Sequence, residues 1–324
     1  MTARTIEARA PGKLFLTGEW VVLAGAPAVV AAVDRYAVVR CRLLDGPGAL
    51  RVESLAEGRI VLADDALCGG DAGAVAAALA AAGEAERTHG EIVVDTGAFL
   101  VGERKLGLGR SAATLAAATA AVLAHRGRRG RGELCHVALA ANARFQAGLG
   151  SGADVAAAVH GGVVAVRRVG ERLDVAPLTL PAGLHLLAGW TGTSAPTTRL
   201  LERFAALPTP ATLAPLAEVS AVAVDALLHG DPVALGAAVN RAGDLLEALG
   251  DETGLPIITP ELTRLVDIAR RHGAAAKPSG AGGGDCGIAL ATSPHQAAAV
   301  RAGWQEAGIL PLTVAIATEG TTVA

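Results

Sequence analysis

The chain has 324 residues, 52% hydrophobic and 18% charged, enough apolar material for one large domain or two ordinary ones. A net charge of -3, one Tyr and four Phe argue against a partner held by its nucleic-acid backbone and stacked bases. Mean hydropathy is +0.43, yet no window offers about 20 apolar residues free of Gly turns and charges, which excludes a spanning helix. The start, Met1 to Glu7, has no apolar stretch after its charge, so no secretion signal is read and the cytoplasm is the expected location. Cys41, Cys68, Cys135 and Cys286 lack paired spacing; they are expected to be reduced, with no zinc site.

In chain order, Thr5 to Ala10, Lys13 to Val22 and Ala28 to Val39 read as strands rich in Val and Ile, and Leu50 to Leu62 as a further pair. A helix is expected over Ala74 to Ala85 and a strand over Glu91 to Asp95. Ser111 to His125 is apolar on every face, so it predicts a buried helix. Helices over Glu133 to Phe145 and Asp154 to His160 follow, then a strand over Val163 to Arg168. The basic run Arg126 to Arg131 reads as a solvated loop between two Ala-rich helices.

The Pro-rich stretch Val175 to Gly183 is the best boundary, dividing the chain into 1–183 and 184–324. Beyond it lie a strand (Leu184 to Gly189) and helices over Thr197 to Leu207, Leu213 to Leu228, Pro232 to Leu249 and Pro260 to His272. A β-α-β finish is expected from Gly287 to Ala317. Mixed strands and helices with early hairpins predict an α+β protein in two halves.

Three glycine-rich loops stand out. Leu106 to Ala113 enters the buried helix, and its glycines and free N–H groups suit phosphate or an ordinary tight turn. Gly148 to Asp154 opens another helix, where Asp154 is either a functional carboxylate or a cap. Lys277 to Cys286 runs straight into an apolar strand, unlike a flexible linker. With Lys105 and Lys277 beside two of them, the loops together point to an anionic ligand carrying several phosphates.

Ala10-Pro11-Gly12-Lys13 to Glu19 resembles the amino-terminal motif of the superfamily of galactokinase, homoserine kinase, mevalonate kinase and phosphomevalonate kinase. The loops at Leu106 and Lys277 resemble its second and third motifs. Lys277 to Gly287, Gly189 to Thr198 and Gly150 to Ala156 are similar to the phosphomevalonate kinase branch. The resemblance implies an α+β two-domain fold: an N-terminal domain with a left-handed β-α-β unit and a ferredoxin-like C-terminal domain, with the active site between.

It also implies ATP and Mg²⁺ as cofactors and phosphomevalonate as the small-molecule substrate, without nucleic acid or membrane; a homodimer is left open. By the resemblance, Lys13 and Asp154 are catalytic and interact with each other. Lys105, Gly107, Leu108, Gly109, Arg110, Ser111 and Ala112 hold the nucleotide, with Ser111 on the metal. Ser151, Gly152, Ser194, Lys277, Ser279, Gly280 and Ala281 contact substrate or close over the phosphates. Glu19 is either a partner of Lys13 or a surface strand residue.

Two departures stand out. Mevalonate kinases carry a glutamate metal ligand where this chain aligns Ala143. The loop usually reads Gly-Leu-Gly-Ser-Ser, and Arg110 replaces its first serine; Arg110 either adds a phosphate contact, points to solvent, or marks altered nucleotide use or lost activity. A related kinase, a diphosphomevalonate decarboxylase and a non-catalytic nucleotide-binding relative are the alternatives.

Overall fold

The computed structural model describes residues 5–46, 48–62, 69–85, 87–170, 172–195 and 197–324; Cys68 and Pro196 lie outside them. Strands β1 (Ile6–Thr17) and β2 (Ala28–Asp45) form a long antiparallel hairpin, with Ile6 opposite Cys41 and Thr17 opposite Val29. The reading of Lys13 to Val22 as one strand is corrected: β1 stops at Thr17 and Val21–Ala24 is a 3₁₀ turn. Trp20 there has φ +68, and neighbouring Glu19 turns inward to meet a distant lysine, described below.

The first sheet grows from β2. Strands β3 (Leu50–Ser54) and β4 (Arg59–Leu62) form a hairpin, and helix α1 (Gly70–Ala82) leads to β5 (Thr88–Asp95). β5 pairs with β2 and runs parallel to β3, so α1 lies on a β-α-β connection. The short hairpin β6 (Leu100–Val101) and β7 (Arg104–Lys105) carries the chain to α2 (Arg110–His125), α3 (Arg131–Phe145) and α4 (Ala153–His160). Every residue of α2 from Ala112 to Ala124 is buried, as its all-round apolar sequence requires. Mostly Ala and Thr, it packs against α1 and α3 while lying on β1 and β2.

Strand β8 (Val163–Val169) pairs with β2, and β9 (Arg172–Leu178) closes that edge. The Pro-rich stretch thus begins as a strand. Pro177 sits opposite Val164 at the sheet edge, where a missing N–H removes no interior ladder bond.

The second sheet has the order β11-β12-β10-β13, from β10 (His185–Trp190), β11 (Ala275–Ser279), β12 (Cys286–Ala291) and β13 (Leu310–Leu312), every pair antiparallel. Between β10 and β11 lie α5 (Thr197–Ala205), α6 (Leu213–Leu228), α7 (Pro232–Thr253) and α8 (Pro260–Arg271), and α9 (Pro294–Glu306) joins β12 to β13. This is a ferredoxin-like order with extra helices in the first crossover. Trp304 is fully buried beneath it, its indole Nε1 donating to the Leu265 carbonyl at 2.9 Å. The chain then returns: Ile316 bridges Val33, and β14 (Thr322–Val323) pairs with β1.

Cys41, Cys135 and Cys286 are buried free thiols, and burial pushes Cys41 up to about 12. Part of the basic run is neutralised internally: Arg126 pairs with Glu84 at 2.6 Å and with Asp45, and Arg128 with Glu133 at 2.7 Å. Among the described residues no helix is long and apolar enough to cross a membrane.

Candidate active site

A cleft of about 990 Å³ opens where α1, α2 and α4 of the first sheet face the turn after β10 and the loop before β12. Lys13, Lys105, Gly107, Gly109 and Arg110 line it, as do Ser111, Ala112, Asp154 and Ser194. Nine of the residues expected from sequence are therefore gathered in one place.

Gly109 caps α2 with φ +81 and no side-chain cap, leaving the first N–H groups of the helix available to a ligand. A Cβ at Gly109 would lie 2.7 Å from Lys13 Cγ, so glycine is needed for the lysine stem to pass. The Lys13 backbone N–H donates to the Leu108 carbonyl at 2.7 Å, welding β1 to the loop, while the Leu108 side chain is core.

Lys13 is only 9% exposed and its Nζ lies 5.2 Å from the Phe15 ring centroid. Among the described residues it has no carboxylate within 4 Å, in contrast to Lys277 and Arg110. A nearly buried ammonium with no counter-ion favours an anionic ligand. Asp154 stands in the first turn of α4, with Oδ1 accepting from the Val155 N–H at 2.9 Å. The two residues share the cleft without a direct ion pair.

The remaining expected residues are placed differently. Lys277 is fully buried, ion-paired to Glu19, and donates to the Pro278 carbonyl at 2.6 Å. Burial pulls its pKa down and the Glu19 carboxylate pushes it back. The expected substrate residue Lys277 thus lies in the interior, away from the cleft lining, and Glu19 is neither a surface residue nor the ion-pair partner of Lys13 but pairs with Lys277. Ser279 is 5% exposed; its Oγ accepts from the Phe15 N–H at 2.9 Å and donates to the Phe15 carbonyl at 3.0 Å, stapling β11 to β1.

The Gly280 N–H donates to Glu19 at 3.2 Å, and a Cβ on Gly280 would lie 3.9 Å from Lys13 Nζ. Ala281 packs in the apolar cluster with Trp20. Ser151 Oγ accepts from the Ala153 N–H at 3.3 Å, and Gly152 caps α4 against Leu139. None of these six lines the cleft.

At the edge of the cleft the Arg110 guanidinium turns toward two carboxylates rather than to solvent. Its Nη2 donates to Asp71 at 2.6 Å and Glu57 at 2.7 Å, and Nε donates to Asp71 at 3.1 Å. Asp71 also accepts from Ser54 Oγ at 2.7 Å and Thr96 Oγ1 at 2.8 Å, making it a buried hub joining α1 to α2. Arg110→Ser strands these carboxylates, so it should lower unfolding stability by about 3 kcal/mol in urea titration. Unchanged stability with a raised ATP KM would restore the phosphate-contact reading.

Sequence reasoning missed Asp71, Glu57 and Asp285. Asp71 had a signal: it is the only charged residue in the apolar stretch Gly70–Ala82. Asp285, directly after three glycines, lines the cleft with φ +57. Burial raises its pKa, against the Ala195 N–H, Lys13 and Lys105, which lower it.

Comparison with known proteins places this geometry. A family model described as the GHMP kinases C terminal matches residues 223–310. Phosphomevalonate kinase from Streptomyces sp. (strain CL190) is 36% identical, with 98% of each chain covered. Mevalonate kinase from Aeropyrum pernix is 32% identical over 89% of each. In fold the chain is similar to Streptococcus pneumoniae phosphomevalonate kinase in complex with phosphomevalonate and AMPPNP, with a TM-score of 0.82, 22% identity, and 96% of this chain and 99% of that one covered. The chain belongs to the GHMP kinases, in the family of phosphomevalonate kinase.

Proposed function

We propose that the protein transfers the γ-phosphoryl group of ATP to the phosphate of 5-phosphomevalonate, giving 5-diphosphomevalonate and ADP. The observation that carries this reading is Lys13, a nearly buried ammonium with no carboxylate within 4 Å among the described residues, beside the uncapped start of α2 in one cleft of about 990 Å³. Family membership supports the acceptor.

In this reading residues 1–183 form the nucleotide-side domain and 184–324 the second, with the cleft between them. The free N–H groups from Gly107 to Ala112 receive the β- and γ-phosphates, and Lys105 adds charge at the mouth. Phosphoryl transfer needs positioning and charge stabilisation more than covalent help. Lys13 lies where charge accumulates on the moving group. The acceptor is a phosphate monoester, largely dianionic at pH 7, so its oxygen attacks without a base. Asp154 then acts electrostatically, orienting charge at the acceptor.

The residues present fit Mg²⁺. The ion prefers a carboxylate and a hydroxyl beside substrate phosphates over an all-protein cage; Ser111 and Asp154 line the cleft, and no metal-binding cluster of His, Cys, Asp or Glu occurs among the described residues. Ser111 and Asp154 would hold the ion, which would supply neutralisation of phosphate charge. The location this reading favours is the cytoplasm.

An ADP-release assay across mevalonate, its 5-phosphate and its 5-diphosphate tests the proposal. Turnover is expected with the 5-phosphate alone. Turnover with mevalonate, or CO₂ release from the diphosphate, would overturn it.

A further inference from the structure

Asp285 has no part in the mechanism above, yet nearly all of its polar atoms are engaged by one turn. Its N–H donates to the Thr193 carbonyl at 2.8 Å, and its carbonyl accepts from the Thr191 N–H and Oγ1, both at 3.0 Å. Its side-chain Oδ1 accepts from the Ala195 N–H at 3.0 Å. The same turn is sewn from the other side: Ser194 Oγ donates to the Lys105 carbonyl at 3.2 Å, and Arg104 Nη1 to the Gly192 carbonyl at 3.2 Å. The turn leads into α5, whose Thr197, Thr198 and Arg199 line the cleft.

Two features show how closely Asp285 is held there. Its φ of +57 is a left-handed conformation that Asp and Asn tolerate better than most residues. Its Cβ packs against the phosphate loop so closely that a Cβ on Gly107 would lie 2.3 Å away. Strain kept at a cleft and stabilised by surrounding bonds marks a constrained functional position.

We propose that Asp285 is the positioning residue of the acceptor side: its carboxylate holds the 191–195 turn against the phosphate loop and so sets where the acceptor phosphate sits. This rests on the proposed reading of the cleft as the reaction site, with Ser194, the turn's expected substrate residue, lining it. Asp285 acts through the turn, by hydrogen-bond acceptance at Ala195, and its negative charge is secondary.

Two substitutions separate these properties. Asp285→Ala keeps the Cβ against Gly107 and removes Oδ1. Asp285→Asn keeps both the accepting oxygen and the tolerance of positive φ while removing the charge. Loss of a hydrogen bond to a charged group is worth about tenfold or more. Asp285→Ala should therefore raise the KM for 5-phosphomevalonate about tenfold, with the ATP KM moving less than about twofold. Asp285→Asn should stay within about threefold of the parent protein.

Hydrogen exchange of the ligand-free protein reads the latch without activity: the Ala195 amide should exchange about tenfold faster in the Ala variant and at the parent rate in the Asn variant. If Asp285→Ala does not fold, Asp285→Gly, which suits the backbone, should show the same losses. An unchanged acceptor KM in the Ala variant, an equal defect in Ala and Asn, or an unchanged Ala195 exchange rate would each overturn the proposal. Failure of the parent protein to phosphorylate 5-phosphomevalonate would instead sink the functional reading, and the exchange experiment would still decide the latch.

Discussion

Lys13→Met is expected to lower kcat by about three orders of magnitude while the protein stays folded. Removing a single preorganised donor aimed at transition-state charge costs about 10²–10³ in rate, and charge at a transferring phosphoryl group weighs more. The Met stem replaces the Lys methylenes that thread past Gly109, so packing is kept. The lost ammonium had no carboxylate within 4 Å among the described residues, so folding stability should not fall. Steady-state kinetics with a thermal melt on one preparation checks both halves. Near-normal turnover removes Lys13 from the chemistry, and a collapse in stability would assign it a structural role. Asp154→Ala in the same assay should lower kcat about 10²-fold.

Glu19→Ala should cost about 3–5 kcal/mol of folding stability, because it leaves the Lys277 ammonium wholly buried without its partner. The loss includes the Gly280 N–H bond to Glu19, so it reaches the third glycine loop. The sign of the pH effect follows from burial, which lowers the Lys277 pKa in the folded state. Without Glu19 no carboxylate offsets that, so the folded variant binds fewer protons than its unfolded chain and gains stability as pH rises toward the ordinary lysine value of 10.5. Urea titrations at neutral and alkaline pH test this. The double variant Glu19→Leu with Lys277→Met should recover most of the loss, since an apolar pair of similar volume replaces a buried ion pair at little cost. A single variant as stable as the parent protein would show that the pair is not holding this junction.

Local pattern was a good guide wherever a segment's environment is uniform. The span Ser111 to His125 has no polar face, and it became the most buried helix. The glycine loops were legible because positive φ and close approach demand residues that the sequence displays openly; Gly107 and Gly109 both meet such demands. What failed to show was the fate of charged side chains, which depends on partners far away in the chain. Lys277 finds Glu19 258 positions away, and Arg110 finds Asp71 and Glu57 39 and 53 positions away. A lysine beside a glycine loop reads as a phosphate ligand until a buried carboxylate claims it.

Backbone context hid others. Ser279 and Pro278 look like loop residues, yet they lie in β11 opposite Cys286 and Gly287. Ser279 then saturates its hydroxyl on Phe15. The family motifs were right about which segments meet, while the roles of individual side chains depended on packing. Lys13 and Lys277 show the difference most plainly: both are buried lysines in recognised motifs, and among the described residues only Lys277 has a carboxylate within 4 Å.

The most direct test is phosphorus NMR of one reaction holding ATP, Mg²⁺, 5-phosphomevalonate and the protein. The account predicts that the monoester resonance is consumed and replaced by coupled diphosphate resonances, in step with conversion of ATP to ADP. An untouched monoester signal, with ATP either unchanged or hydrolysed to inorganic phosphate, would contradict it.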